Sequence, residues 1–243
     1  AVRTFTMPAG AAVPVLTVNA PNVTVNTSGS GSITFQQPVT WQSTAGVTNG
    51  AVSCTFNSTV TVNTNVTQGS GDLVYNSSYT QSGGTFTPSA GVLDYNSAFT
   101  LSGGVFNAPS GVVSFASDFT ISGGTFNAGS GTVVFDGGAS TVNVATTQSF
   151  NNLTFNTPGA YKVVDSSDVL VVNGTLTLTA GQVVNGTVNA LGNVVLASTF
   201  GGGNTTLLIS GNAVRTFTLP AGAGVPVLTV NAPNVTVNTS GSG

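Results

Sequence analysis

The chain has 243 residues, of which only 4% are charged: three cations, six aspartates, no glutamate and no histidine, for a net charge of −3. That balance excludes the basic stripe that nucleic acid needs and the polybasic segment that an anionic membrane needs. With 40% hydrophobic residues and Thr, Asn, Ser, Gly and Val in place of helix formers, the composition predicts an ordered all-β protein with a polar, nearly neutral surface.

A lone cysteine cannot form an intrachain disulfide, and the lack of histidine removes the commonest metal ligand and general base. No apolar run approaches the ~20 residues of a spanning helix, and no charged segment followed by an apolar one marks a signal peptide.

In chain order, the first feature is a duplication. Residues 1–31, AVRTFTMPAGAAVPVLTVNAPNVTVNTSGSG, return at 213–243 with two changes, Met7 to Leu219 and Ala12 to Gly224. A near-copy 212 residues on predicts a tandem array, with 1–212 one long unit and 213–243 the start of the next. With no linker composition to interrupt it, 1–243 reads as one continuous solenoid.

Next, GSITF at 31–35 and AVSCTF at 51–56 place Ile33, Phe35, Cys54 and Phe56 in matching roles. Cys54 there reads as a buried structural thiol. Trp41, in VTWQST, alternates with Val39, which favours a core or rim position over an exposed ring for stacking on sugars.

Residues 71–90 (GDLVYNSSYTQSGGTFTPSA), 91–110 (GVLDYNSAFTLSGGVFNAPS) and 111–130 (GVVSFASDFTISGGTFNAGS) are three ungapped units of twenty, and GTVVFD at 131–136 begins a fourth. Each holds three short alternating segments punctuated by small and Gly-containing turns, so each predicts three strands. Stacking the units makes columns: Leu73, Leu93, Val113 and Val133; Tyr75, Tyr95, Phe115 and Phe135; Tyr79, Phe99 and Phe119; Phe86, Phe106 and Phe126. Gln81, Leu101 and Ile121 form a further column with one polar member. Because strand side chains alternate between faces, these columns share the inside, and Thr80, Ser82, Thr100, Ser102, Thr120 and Ser122 point outward. The prediction is a parallel β-helix, or β-solenoid, of about 20 residues and three short strands per coil. Parallel crossovers and the aromatic filling both point to a right-handed one.

Farther along, NNLTFN keeps Leu153 and Phe155 twenty residues beyond Val133 and Phe135, while 169–181 and 193–200 are strand-like with shifted spacing. At ~20 residues per coil and ~4.8 Å between coils, the 212-residue unit corresponds to ten or eleven coils and about 50 Å of axis.

The run SGGTFNAGSGTVVFDGG, followed by SFNNLTFNTPG and later VVNGTLTLTAGQVVNG, resembles the repeats of bacterial β-strand-repeat surface proteins. These occur among filamentous-haemagglutinin-like adhesins and autotransporter passengers. The resemblance covers most of residues 31–185. It implies a β-helical polypeptide that is extracellular or at the cell surface, and it carries over no functional residue.

No catalytic, cofactor-binding or metal site is expected. A β-helical polysaccharide enzyme needs acids clustered on one face, often with a cation. Asp72, Asp94, Asp118 and Asp136 fall at different positions of their units, with Lys162, Arg3 and Arg215 in other coils. Asp165 and Asp168 supply two carboxylates where calcium takes 6–8 oxygens, and the Ser-Gly-Gly turns lack the lysine and helix of a phosphate loop. Asn22, Asn57, Asn65, Asn76, Asn152, Asn173, Asn185 and Asn204 open Asn-x-Ser/Thr triplets, which read as ladder and turn residues before glycosylation sites. The outward Thr-x-Ser rows are similar to the ice-binding faces of some antifreeze solenoids, but Thr, Asn and Ser cover every outer face.

The function these observations predict is a structural extracellular fibre, a filament, sheath or stalk, whose partner is itself. An adhesin stalk that contacts glycans or neighbouring fibres is the alternative. A β-helical polysaccharide-active enzyme and an ice-binding protein follow behind.

Overall fold

A chain with a twenty-residue metre of β-branched and aromatic residues cannot bury one coil's apolar face alone, so it must stack coils. The computed structural model describes residues 3–8, 12–13, 16–18, 23–28, 32–41, 47–49, 53–89 and 91–240, with side chains placed for 34–41, 53–89 and 91–239. The described residues contain strands and turns and no helix. The fold is the predicted β-solenoid: parallel coils of about 20 residues, about ten of them in all. They fall into two units, Ala1–Phe115 with Thr120–Gly129, and Ala116–Phe119 with Ser130–Gly243.

In the first unit each coil has three legs. First legs include Ser32–Phe35, Ser53–Phe56, Leu73–Tyr75 and Leu93–Tyr95. Second legs are Leu16–Val18, Val39–Trp41, Val60–Asn63, Tyr79–Gly83 and Phe99–Leu101. The third legs form a seven-stranded sheet from Arg3–Pro8 to Thr125–Asn127. Every pairing is parallel and like sits on like: Leu73↔Leu93, Tyr75↔Tyr95, Tyr79↔Phe99 and Phe86 below Phe106 below Phe126.

The in-register ladder dictates the core. Strands ~4.8 Å apart hold identical rings at that same separation, which suits offset stacking. Phe35, Phe56, Tyr75, Tyr95 and Phe115 make one stack with centroid steps of 4.7, 4.8, 4.6 and 5.1 Å. Tyr79 and Phe99 stack at 5.4 Å, and Phe86, Phe106 and Phe126 at 4.8 and 5.3 Å. The stacks meet edge to face, as in Tyr95 against Phe99 (5.0 Å, 76°) and Phe99 against Phe106 (5.1 Å, 80°).

The Ser-Gly-Gly corner has a steric cause. Gly84, Gly104 and Gly124 all have φ between 66° and 76°, the left-handed region that glycine enters without cost. A Cβ on Gly124 would also lie 2.6 Å from the Gly104 carbonyl oxygen, so the coils stack this closely only through glycine.

In the second unit the legs lengthen and the metre drifts. Asn152–Val164 is a 13-residue strand that covers two legs, its first half on Thr132–Phe135 and its second on Ser140–Asn143. A register shift after Phe155 and Gly159 at φ 71° carry the bend between them. Offsets pass from 23 (Leu153↔Leu176) to 18 (Leu176↔Val194), which is the shifted spacing seen in the sequence. Thr147–Phe150, Val169–Val172, Thr187–Ala190, Thr206–Ser210 and Val227–Asn231 form a five-stranded sheet.

The duplicated segments adopt the same local structure. Arg3–Pro8 lies on Val23–Ser28 with Arg3↔Val23 through Pro8↔Ser28. Arg215–Pro220 lies on Val235–Ser240 with Arg215↔Val235 through Pro220↔Ser240, the same pairing 212 residues on.

Candidate functional site

The interior columns are the first set of residues to place. Leu73, Leu93, Val113, Tyr75, Tyr95, Phe115, Tyr79, Phe99, Phe86, Phe106 and Phe126 are buried, as are Val133, Phe135 and Phe119 of the second unit. Burial pushes the Cys54 thiol up to about 12 and raises the Tyr75, Tyr79 and Tyr95 hydroxyls above their ordinary value of 10.0. A thiol so shifted stays protonated and unreactive. Trp41 is buried as well.

One polar pair is built into this interior. The Tyr79 hydroxyl donates to Gln81 Oε1 at 3.1 Å, and Gln81 Nε2 donates to the Gly84 and Val105 carbonyls at 3.3 and 3.0 Å. In the next two coils the corresponding pairs are Phe99 with Leu101 and Phe119 with Ile121, so the glutamine occurs where the ring carries a hydroxyl. The Tyr95 hydroxyl, by contrast, is buried with no hydrogen-bond partner.

Outside, amides form ladders. Asn96 donates to Asn76 (3.0 Å), Asn76 to Asn57 (2.8 Å) and Asn57 to Gln36 (3.2 Å). Asn127 donates to Asn107, Asn65 accepts the Thr85 amide, Asn152 accepts the Thr175 amide, and Asn204 accepts the Asn185 amide. Among the Asn-x-Ser/Thr triplets, Asn22 lies outside the described residues. Ser82 and Ser102 turn their hydroxyls onto the carbonyls of Val62 and Gln81 in the coil before.

The charged side chains depart from the sequence expectation at one place. The twenty-residue metre sets Lys162 apart from the acids, yet in the structure Asp136 and Asp118 act on it electrostatically. The bulged strand sets Lys162 opposite Ser140, an offset of 22 that counting by twenty misses. Its amine donates to the Ala116 and Gly138 carbonyls at 3.2 and 3.1 Å and to Ser140 Oγ. Burial lowers it to about 8, against the pull of the two carboxylates in the other direction. With three protons on three acceptors, the ammonium closes a coil corner.

Asp168 does the same with the opposite charge. It is buried, and its two oxygens accept the Val144 and Thr146 amides at 2.6 and 2.8 Å. Between them lies a turn in which Ala145 and Thr146 have φ of 56° and 131°. Asp165 accepts from Ser167 instead, so the DSSD acids serve two separate turns. The Arg215 guanidinium is buried too and donates to the Ala213, Ser210 and Ala190 carbonyls. Among the described residues no three His, Cys, Asp or Glu side chains group as metal ligands, and no helix is long and apolar enough to cross a membrane.

Two surfaces remain. A shallow groove of about 390 Å³ is lined by Gly159, Tyr161, Gly181, Gln182 and Thr199, with the Tyr161 ring 45% exposed. The other is the last coil. Val227, Val230 and Val237 are 50–56% exposed, whereas Leu207 and Ile209 one coil earlier are 1% exposed. Sequence reasoning missed the groove because the bulge that opens it has no twenty-residue signature.

The class that these features define is a β-solenoid with a repeated 212-residue period. No protein-family model, curated protein or solved structure matches the chain.

Proposed function

We propose that this chain is a structural, fibre-forming β-solenoid of the extracellular space or cell surface. The observation that carries the reading is the duplication: two segments 212 residues apart take the same strand register, as successive periods of an array do. The chemistry of the interior supports it. The polar groups that interrupt the core, Lys162, Asp168 and Arg215, all bond backbone at coil corners, where they hold coils together. The chain has three trypsin sites, and the two whose side chains are described are buried. Such a material resists extension through axial hydrogen bonds and stacked rings. The resemblance to bacterial β-strand-repeat proteins supports the location.

Electron microscopy of the assembled protein tests the proposal. A uniform fibre with an axial period of about 50 Å is expected; a monodisperse species that cleaves a polysaccharide would sink the idea.

A second reading, an adhesin stalk that contacts glycans, is favoured by the Tyr161 groove. An exposed aromatic ring flanked by glycines and the hydrogen-bonding side chains of Gln182 and Thr199 suits stacking on a sugar. Glycan-array binding that is lost in Tyr161→Ala would select this reading.

A further inference from the structure

The two copies of the duplicated segment show opposite edges of the same strands. In the first copy the visible partners come after it: Ala12↔Thr34 and Val13↔Phe35, Leu16↔Val39 through Val18↔Trp41, and Val23↔Val47 through Val25↔Asn49. In the second copy they come before it: Val194↔Phe217, then Leu228↔Leu207, Thr229↔Leu208 and Val230↔Ile209. Superposing the copies by 212 residues gives every strand of the segment two neighbours with no conflict of register.

We propose that the free end made by Val227–Asn231 and Val235–Ser240 is the docking surface for the Ser32–Asn49 segment of a second copy of this chain, joined in tandem. The register is set by the first copy. Leu228 receives Val39 of the incoming copy, Thr229 receives Thr40, Val230 receives Trp41, Val225 receives Phe35, and Val235–Val237 receive Val47–Asn49.

The side chains fit that register. Leu228 and Val230 continue inward columns whose members one coil below, Leu207 and Ile209, are 1% exposed, yet they are themselves 38% and 50% exposed. The proposed partners, Val39 and Trp41, are inward-facing and buried in their own coil. Val237 stands over the buried Phe217 and lacks a cover of its own. An open parallel edge that also leaves the ends of apolar columns in water needs a following coil. The only residues known to continue this strand sequence in register are 32–49. In the incoming copy, residues 1–31 are redundant, since 213–243 already occupy their place. The repeating element is therefore 32–243.

This docking rests on the tandem-array reading, and a single tandem polypeptide tests the two separately. Residues 32–243 are appended directly after Gly243 of the full chain, and amide exchange is compared with the 243-residue chain. The amides of Val227–Asn231 and Val235–Ser240 are expected to slow by about 100-fold, as edge strands become interior ones. Register is read in a Cys54→Ala background. Thr229→Cys should form a disulfide with Thr40→Cys of the appended copy, since adjacent parallel residues lie within bridging range. It should not form one with Thr80→Cys, two coils farther on. Unchanged exchange at 227–240, or equal cross-linking to both positions, overturns the proposal. Protection and selective cross-linking without any filament in the microscope would uphold the docking and defeat the fibre reading.

Discussion

The Tyr79–Gln81 pair offers the sharpest test of how this core is held. Replacing Gln81 with Leu, the residue that follows at Leu101, deletes the acceptor of the Tyr79 hydroxyl and leaves that hydroxyl buried in an apolar column. A buried, unsatisfied polar group costs about 1–3 kcal/mol. Leucine recovers some apolar contact, so a loss of about 1–2 kcal/mol is expected. Tyr79→Phe alone removes the donor and keeps the stack on Phe99 (5.4 Å), while Gln81 keeps its two carbonyl acceptors. That change should cost less than about 1 kcal/mol. The double variant reproduces the Phe99–Leu101 coil and should lie near wild type. The cycle then gives a coupling of about 1 kcal/mol or more. Urea denaturation of the four proteins, followed by ring absorbance and circular dichroism, measures it. Additive losses with no coupling would show that the hydroxyl does not depend on the glutamine, and the account of the column's polar member would fail.

Other outcomes follow from the same interior. Tyr95→Phe removes a hydroxyl with no partner and preserves stacking at 4.6 and 5.1 Å, so stability should rise by about 1 kcal/mol in the same assay. Gly104→Ala places a Cβ against the Gly84 carbonyl at φ 76° and should cost more than about 2 kcal/mol, with local exchange rising first at 102–106. The two units should answer alkali in opposite senses. Lys162, at about 8 when folded and 10.5 ordinarily, binds fewer protons in the native state, so the second unit gains stability from pH 8 towards 10.5. The full shift corresponds to about 3 kcal/mol, and solvent screening reduces it to about 1–2. In the first unit, Cys54 and three tyrosines are raised, so the unfolded chain loses protons first and stability falls above about pH 9. Exchange measured unit by unit checks both signs, and Lys162→Met should abolish the gain.

The fold was legible because the physics of a solenoid is periodic. Where every coil obeys the same metre, as between Leu73 and Phe126, one register satisfies the hydrogen bonds, the ring spacing and the glycine corners together. Elsewhere the sequence under-determines the structure. Lys162 lies opposite Ser140 because a bulge after Phe155 absorbs residues, and no composition rule announces a bulge. Asp168 holds the Val144 and Thr146 amides from 22 to 24 residues away, a pairing no single-coil pattern contains. One signal was present and unused. The replacement of Tyr-x-Gln by Phe-x-Leu and Phe-x-Ile between coils marks a buried hydrogen bond from the sequence alone.

The placement of charge also bears on function. In an enzyme, perturbed ionisable groups converge on a cleft where they meet substrate. Here the buried cation Lys162 and the buried anion Asp168 turn inward onto backbone groups, and each saturates its hydrogen bonds within the coil stack. Arg215 does likewise, at the start of the second copy. Its equivalent opens the first copy, so an array carries one such plug in every period. With so few charges in the chain, their use as internal fasteners leaves the surface to Thr, Ser and Asn, whose ladders repeat along the axis as the core does. A surface and a core that share one period are what a lengthening stack requires, since each added coil then meets the chemistry that the last one left.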